Sequence, residues 1–262
     1  VLFRSILAAA AVLTFGCLTM NAYAAEGWAL SNNIWTYLDK NGNRVTNEWK
    51  KGADNLWRYL NNSGEMAVNS WADNDYYVDA NGIMVADKWM QIVSPYSRDS
   101  QTYWFYFGSS GKVTKDTWKK IDGKSYYFDA DGIMQTGWTE DGDYYLSSSG
   151  AMVTGWRYLE PKDEDSSLYG TESDDGKYWF YFSASGKKQS PSTSDDGGEY
   201  KVTKIDGKYY CFDADGRMRT GWVYLEGDPE NSSKSSIADW RYFAESGIQN
   251  ATVGAAISGW LS

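Results

Sequence analysis

The sequence lacks the residues on which most enzyme and metal chemistry depends. Its 262 residues contain no histidine, two cysteines and four prolines. Without an imidazole, Ser-His-Asp and Cys-His catalysis and the usual histidine-bearing zinc sites are excluded. Two cysteines cannot build a disulfide-rich scaffold or a four-thiolate metal site. We therefore predict a non-catalytic protein with no catalytic residue, no metal site and no cofactor.

Basic residues are also in deficit. The chain has 25 Lys and Arg against 35 Asp and Glu, a net charge of -10. A nucleic-acid partner is not expected, because such binding relies on basic side chains that neutralise phosphates. Aromatic residues are abundant instead, with 14 Trp, 21 Tyr and 9 Phe making up 17% of the chain. Rings at this frequency in a polar chain must have a role in its fold or its binding.

The amino terminus has the features of a secretory signal peptide. Arg4 precedes an apolar run from Ile6 to Leu18, and Ala22-Tyr-Ala24 resembles a cleavage site. A membrane anchor is the alternative, although the run is short for a spanning helix. We predict that residues 1–24 are removed, leaving residues 25–262 as an exported chain without a membrane span. Removing Arg4 leaves 24 basic and 35 acidic residues, a net charge of -11.

The rest of the chain consists of repeats. Residues 118–134 and 204–218 are nearly copies of each other, and the same template recurs nine times. Each copy has a Tyr, a large apolar residue, three small or polar residues and a glycine. The shorter spacings between these anchor glycines are 18 to 22 residues, and the longer ones are 29 to 36. The anchors are Gly42, Gly64, Gly82, Gly111, Gly132, Gly150, Gly186, Gly216 and Gly247.

Each repeat has the pattern of a β-hairpin. Residues 57–60 form an aromatic strand, residues 61–64 a turn and residues 65–66 a short return strand. One such hairpin cannot bury a face alone, but stacked hairpins can cover each other. The predicted fold is all-β, a solenoid of stacked hairpin repeats of about 20 residues with polar loop insertions. The residues Ser258-Gly-Trp260 resemble the start of a further unit, as in a truncated product. The four prolines lie in the insertions, at Pro95, Pro161, Pro191 and Pro229.

A period of two distinguishes the faces of the aromatic strand. A Tyr precedes the apolar residue in eight units, and in five units a Trp lies two positions earlier on the same face. The position between them varies freely and is Thr36, Arg58 or Phe105 in different units. We predict that this middle position points away from the binding face. Trp57→Ala should accordingly weaken ligand binding more than Arg58→Ala.

These motifs resemble the choline-binding or cell-wall-binding repeats of bacterial surface proteins. The resemblance rests on Gly137-Trp138, Tyr144-Tyr-Leu, Gly150-Ala-Met152 and Thr154-Gly-Trp156, and it extends over residues 28–260. Related repeats occur in glucosyltransferases, where they bind glucan, and in clostridial toxins. The resemblance implies a left-handed solenoid with binding sites between consecutive hairpins. Each site would combine an opening Trp and a hairpin Trp of one unit with the strand Tyr of the next.

Three complete trios and three methionines follow from the resemblance. The second cysteine, Cys211, replaces the strand Tyr required by a site on Trp156 and Trp179, and it is predicted to be a buried thiol. Sites next to Asp75, Ser125 or Asp143 lack the hairpin Trp and are predicted to be weak or absent. Met66, Met84 and Met134 are the predicted floors of the sites. The trios are Trp28, Trp35 and Tyr59; Trp49, Trp57 and Tyr77; and Trp89, Trp104 and Tyr127.

The predicted function is attachment of a secreted protein to the bacterial cell wall. Ring faces suit a quaternary ammonium, so choline or choline-substituted teichoic acid is the predicted partner. Three alternatives remain open. The rings could bind a glucan or another cell-wall polysaccharide, or they could bind nothing in a purely structural adhesin. The chain could also be the attachment region of a truncated wall hydrolase or glucosyltransferase, with a catalytic domain beyond Ser262.

Overall fold

The structure is a computed structural model that describes residues 26–96, 100–162, 175–191, 200–225, 239–248 and 251–257. The predicted signal peptide lies outside these residues. The fold has two compact units. The first holds the described residues up to Lys88 together with Phe107–Lys112, and the second holds Trp89–Tyr106 and the described residues from Val113 onward.

Antiparallel hairpins make up both units. Sequential strands pair in order, and the eighth hairpin gains a short third strand. The described residues contain no helix, and hence none that is long and apolar enough to span a membrane. The predicted all-β fold of hairpin repeats is confirmed. The strands are β1 Gly27–Ser31, β2 Ile34–Leu38, β3 Glu48–Lys51, β4 Trp57–Leu60, β5 Ser70–Ala72, β6 Tyr76–Val78, β7 Lys88–Val93, β8 Thr102–Phe107, β9 Thr117–Ile121, β10 Lys124–Phe128, β11 Gly137–Trp138, β12 Tyr145–Leu146, β13 Gly155–Leu159, β14 Tyr178–Phe182, β15 Tyr200–Ile205, β16 Lys208–Asp213, β17 Met218–Arg219, β18 Gly221–Leu225 and β19 Asp239–Phe243.

An Asx turn follows the aromatic strand in several units. The Asp79 carboxylate accepts hydrogen bonds from the backbone N–H groups of Asn81, at 2.8 Å, and Ile83, at 3.0 Å. The backbone N–H of Gly82 also donates to the Asp79 carbonyl at 2.9 Å. Gly82 has φ of 71°, a conformation that glycine adopts without steric cost. These bonds close the hairpin and direct the chain into the return strand.

The segment that follows the turn, which forms isolated bridges where a return strand was predicted, joins several hairpins to the one before. The backbone N–H of Met66 donates to the carbonyl of Trp35 at 2.7 Å, and that of Met84 donates to Trp57 at 2.9 Å. The Met66 side chain then lies where a β-carbon on Gly82 would be, 2.9 Å from its sulfur. Consecutive hairpins therefore stack through a backbone bond and a Met–Gly contact. The anchor position favours glycine because of its positive φ and because a β-carbon on Gly82 would lie 3.0 Å from the carbonyl oxygen of Ala67.

The core lies on the opposite strand face from the one we assigned to binding. Phe105 and Phe107, two residues apart on β8, are both fully buried. Phe180 and Phe182 on β14 repeat this arrangement. The middle position points away from the Trp face, as predicted, but the prediction that it is unconstrained is wrong, because stacking covers the face that carries the middle and apolar residues. The opposite face is thereby left free to expose Trp57 and Trp104.

Arg58 shows how a polar residue is accommodated at the buried middle position. It is 6% exposed, and its guanidinium donates to both carboxylate oxygens of Asp54 at 2.8 and 2.7 Å. Burying a charge is tolerated when it is paired and hydrogen-bonded in this way. Arg58→Ala would thus remove a structural ion pair, so it is not a neutral control for Trp57→Ala.

The Asp54–Arg58 pair predicts a loss of stability in acid. The hydrogen bond from Arg58 lowers the pKa of Asp54 to about 2. A lowered carboxyl pKa stabilises the fold above its ordinary value and ceases to do so as pH falls towards 2. Because the Asp54 side chain is 36% exposed, solvent screening reduces the effect to about 1 kcal/mol. Urea unfolding at pH 6 and pH 2.5 should show a smaller acid loss in Asp54→Asn than in the wild type. Equal losses in the two proteins would contradict this role.

The described parts of the insertions are loops. Pro95, Pro161 and Pro191 lie outside the strands, as predicted, whereas Pro229 falls outside the described residues. Proline cannot donate a ladder hydrogen bond, which explains its exclusion from the paired strands. Cys211 on β16 is fully buried and free, and burial raises the pKa of its thiol to about 12. The prediction of a buried thiol is confirmed.

Candidate functional site

The opening Trp and the strand Tyr of a hairpin are direct cross-strand partners. Trp28 pairs with Tyr37 in the β1–β2 ladder, and their ring centroids are 5.6 Å apart at 89°. Trp49 and Tyr59 form the same pair on β3 and β4 at 5.1 Å. Edge-to-face and tilted packing is favourable for aromatic rings. Eight of the nine described hairpins therefore carry a preformed Trp–Tyr pair, and in β15–β16 the corresponding residues are Val202 and Cys211.

The opening Trp also contacts the next hairpin. Trp49 lies 5.3 Å from Tyr76, and Trp118 lies 5.0 Å from Tyr144. The contacted residue occupies the middle position of the next strand, which our prediction treated as unconstrained. The opening Trp thus packs between two hairpins and is held by both. A residue fixed on both sides provides a rigid wall for a ligand site.

In the first predicted trio, Trp28, Trp35 and Tyr59 are all half-buried. The Trp28 indole N–H donates to the carbonyl of Lys51 on the next hairpin at 3.0 Å. Trp35 is linked to that hairpin through its carbonyl, which accepts the hydrogen bond from Met66. The structure therefore ties Trp28 and Trp35 to the unit that supplies Tyr59, while the Trp28 ring packs against Tyr37 of its own hairpin.

The second trio is incomplete. Trp57 is 40% exposed and offers a ring face to solvent. Tyr77 is only 9% exposed, because it packs against Trp71 at 5.8 Å and Phe107 at 6.3 Å. Burial also raises the pKa of the Tyr77 hydroxyl. Tyr77 is thus part of the packing of this unit and presents little surface to a ligand beside Trp49 and Trp57.

The third trio has the most open geometry. The indoles of Trp89 and Trp104 meet at 83° with centroids 6.3 Å apart, which forms a corner. Trp89 is held by Tyr126 at 4.9 Å, whereas Trp104 is 43% exposed. Tyr127 is half-buried on the next hairpin and packs on its own opening Trp. One fixed indole and one accessible indole at a right angle suit a compact apolar or cationic group.

A second corner with the same geometry lies further along the chain. Trp156 and Trp179 meet at 83° with centroids 6.4 Å apart. Trp179 is as accessible as Trp104. The strand position that corresponds to Tyr127 of the third trio is here Cys211, which is buried opposite Val202. The two corners thus differ at the position that is predicted to supply the third ring.

The three methionines occupy a common structural position. Met66, Met84 and Met134 are half-buried in isolated bridges after the turns, and each lies against the anchor glycine of the following hairpin, at Gly82, Gly111 and Gly150. This position explains why a long flexible residue recurs two places after the glycine. Their proposed role as floors remains a prediction.

Lysine ammonium groups lie over several ring faces, which the sequence reasoning did not anticipate. Lys51 lies 5.0 Å from the Trp57 centroid, and Lys50 lies 5.1 Å from Tyr37. Lys51 is the cross-strand partner of Trp57, so its side chain can reach that ring. These distances are typical of cation–π contacts. The faces of these rings can therefore accept a positive charge in a cation–π contact.

Comparisons with known proteins agree with this arrangement of repeats. A family model described as a choline-binding repeat matches residues 25–71 and 113–155. No curated protein matches the chain significantly.

Several solved structures are similar to the chain. The modular autolysin LytC of Streptococcus pneumoniae is 24% identical with a TM-score of 0.43, and the match covers 83% of this chain. The match covers 51% of the autolysin, so the chain spans about half of that protein. The choline-binding domain of CbpL from the same species is 26% identical, with 76% of this chain and all of that domain covered, at a TM-score of 0.44. Choline binding protein F, also from that species, is 19% identical over 89% of this chain and 93% of its own, at a TM-score of 0.44. The resemblance seen in the sequence motifs is confirmed: residues 25–71 and 113–155 match the model of the choline-binding repeat.

Proposed function

We propose that this chain is a secreted, non-catalytic attachment module that binds choline on a bacterial cell-wall polymer. The observation that carries this proposal is the Trp89–Trp104 corner, in a chain whose residues 25–71 and 113–155 match the choline-binding repeat model. A trimethylammonium group cannot donate a hydrogen bond, so it is recognised by electron-rich ring faces. Two indoles at a right angle contact such a group on two sides, and Tyr127 would supply a third.

The expected affinity of a single site is low. Each well-placed ring contributes roughly 0.5–2 kcal/mol, so three rings give about millimolar binding after the costs of association. Several sites on one polymer raise the overall affinity without new contacts. The repetition of the hairpin is consistent with this need. The net charge of -10 also favours a cationic ligand over an anionic one.

The two corners provide a matched test of the third ring. Trp104→Ala should lower the choline concentration that elutes the protein from a tertiary-amine resin, because one complete site is lost. Trp179→Ala should have a smaller effect, because its corner lacks the third ring at Cys211. Elution profiles of the two variants and the wild type check this prediction. Equal effects of the two substitutions would show that the third ring is irrelevant.

The nature of the ligand requires a separate measurement. Exposed indoles such as Trp57 could also stack on the apolar face of a sugar, so a glucan is the alternative ligand. Isothermal titration with choline and with an isomalto-oligosaccharide distinguishes the two. Heat from choline alone supports our proposal, whereas heat from the oligosaccharide alone assigns the rings to a glycan.

The non-catalytic assignment is tested by an activity assay. Some structures similar to this chain belong to wall hydrolases, including the modular autolysin. Incubation of the purified chain with cell walls should release no soluble fragments. Soluble fragments released from the walls by the purified protein would assign an enzymatic role instead.

A further inference from the structure

A polar cavity lies in the second unit, where the turn between β11 and β12 meets the segments that follow β13 and β16. Its volume is about 240 Å³, below the range of about 300–1,000 Å³ that is common for pockets holding larger organic ligands. A cavity of this size suits a small ion or a single charged group. The charged side chains of its lining are Lys162, Lys188, Arg217, Asp141, Asp143 and Asp215.

Lys188 enters this cavity from a position that is methionine in other units. Five units carry a Met two residues after the anchor glycine, and Lys188 takes that place after Gly186. Its methylene groups pack against the next anchor glycine, because a β-carbon on Gly216 would lie 2.8 Å from the Lys188 Cδ. Lys188 therefore keeps the stacking contact of the methionines and adds an ammonium group.

The Lys188 ammonium lacks a counterion in the part of the chain that the structure describes. It lies 5.3 Å from the centroid of the Trp138 ring and forms no ion pair there. Burial lowers the pKa of Lys188, although Asp215 and Asp143 partly offset this effect. An ammonium has three N–H donors, and a charge that is partly removed from water is stabilised by a hydrogen-bonded group of opposite charge. An anion in the cavity would supply that group.

Two further cations face the same space. Arg217 is 7% exposed, and its guanidinium lies 4.6 Å from the centroid of the Tyr178 ring. The nearest guanidinium nitrogen is 3.6 Å from the Asp215 carboxylate, longer than the roughly 2.7–2.9 Å of a charge-assisted hydrogen bond. Lys162 donates to the backbone carbonyl of Glu140, which uses one of its three N–H groups. Three cationic groups from separate segments thus converge on one cavity.

The carboxylates of the lining have partners within the protein. Asp143 pairs with Lys187 at 3.0 Å. Asp141 accepts hydrogen bonds from the Thr139 hydroxyl, at 2.5 Å, and from the backbone N–H of Asp143, at 3.0 Å. With Asp143 neutralised, the lining retains three basic groups against two carboxylates. This local excess is opposite in sign to the net charge of the chain, and it favours an incoming anion over a cation.

We propose that this cavity binds a phosphate group through Lys188, Arg217 and Lys162. A tetrahedral oxyanion can accept hydrogen bonds from donors that approach from several directions, and guanidinium and ammonium groups are the usual donors to phosphate. The trios described above are proposed to hold a cation on ring faces, so this cavity differs from them in the charge of its ligand. The inference goes beyond the proposed function and does not depend on it.

Titration with sodium phosphate at constant ionic strength, maintained with sodium chloride, tests the proposal. The indole N–H resonance of Trp138, assigned with Trp138→Phe, reports on the cavity because Trp138 lines it next to Lys188. Phosphate should shift this resonance in a saturable manner. Lys188→Met should weaken phosphate binding roughly tenfold, because it removes a hydrogen-bonded charge. This variant should fold normally, since it restores the methionine of the other units.

A second lysine provides the control for net charge. Lys40 is exposed and belongs to the first unit, so Lys40→Met makes the same charge change away from the cavity lining and should leave phosphate affinity unchanged. Equal weakening in the two variants would overturn the proposal. So would unchanged affinity in Lys188→Met, or a Trp138 signal that responds no more to phosphate than to chloride.

A parallel titration with dimethyl phosphate distinguishes the sources of the phosphate group. Binding of both probes would indicate that a phosphodiester can enter the cavity. Binding of inorganic phosphate alone would assign the cavity to free phosphate or a phosphomonoester, and either result supports the proposal. The Trp104 resonance, followed with choline in the same samples, reports on the proposed function separately. A response of Trp138 to phosphate supports the cavity proposal even if Trp104 does not respond to choline.

Discussion

Replacing Phe180 with alanine is expected to destabilise the fold by about 3–5 kcal/mol, the usual cost of removing a buried phenylalanine. Phe180 is 1% exposed, belongs to a cluster with Val153 and Phe182, and lies 5.0 Å from the Trp138 ring. The loss combines lost burial with the cavity left behind. Guanidinium unfolding monitored by tryptophan fluorescence measures it.

The adjacent residue provides the control. Trp179 is larger than Phe180 but 42% exposed, and it lies on the opposite face of β14. Trp179→Ala should therefore cost less than half as much stability, although it removes ring contacts with Trp156 and Tyr158. A larger loss in Trp179→Ala than in Phe180→Ala would mean that the core lies on the Trp face.

Gly216→Ala is expected to cost about 2–3 kcal/mol, because two penalties combine at this anchor position. Gly216 has φ of 79°, and a β-carbon there would lie 2.8 Å from the carbonyl oxygen of Gln189. A backbone oxygen cannot move aside as a flexible side chain can. Thermal or denaturant unfolding of the variant measures the combined effect.

Gly207, in the same hairpin, distinguishes the cost of the positive φ from the cost of the steric clash. It has φ of 81° in the turn between β15 and β16, but a β-carbon there would meet nothing within 4 Å. Gly207→Ala should accordingly cost only about 1 kcal/mol, from backbone conformation alone. If the two variants lose the same stability, the close approach between hairpins at Gly216 has no energetic weight.

The hairpin repeat could be predicted because its determinants are local. The turn residues, the recurring glycine and the two-residue alternation lie within about 20 residues of each other. The buried face could not be assigned in this way. Thr36, Arg58 and Phe105 differ in polarity, so no apolar pattern marks their position, although all three are buried. Burial there depends on the stacking of neighbouring hairpins, and Arg58 is tolerated only because Asp54 pairs with it.

Prediction of the candidate site from the sequence has the same limit. The cross-strand pair of Trp49 and Tyr59 follows from hairpin register, which local sequence determines. The burial of Tyr77 could not be foreseen, because it depends on Phe107, which lies across a long insertion in the chain. Glu140 and Asp141 line one cavity together with the rings of Trp118, Tyr127 and Tyr144. This proximity could not be predicted either, because the two carboxylates occupy an ordinary polar turn and only the stacking of hairpins brings them to the rings.

The arrangement of faces has a consequence for binding. Because the core is formed by the residues at the middle and apolar positions, Trp57 and Trp104 are not needed to cover it and remain exposed. A site built from such residues can change its ligand preference without unfolding the repeat. Lys51 illustrates this, because it is the cross-strand partner of Trp57 and its ammonium group lies over the face of that ring.

The most direct test of our account is a crystal structure of the protein with choline at saturating concentration. The account predicts that the trimethylammonium group lies in the corner between Trp89 and Trp104, with Tyr127 on its third side. Choline absent from that corner, or bound only at surfaces without rings, would contradict it.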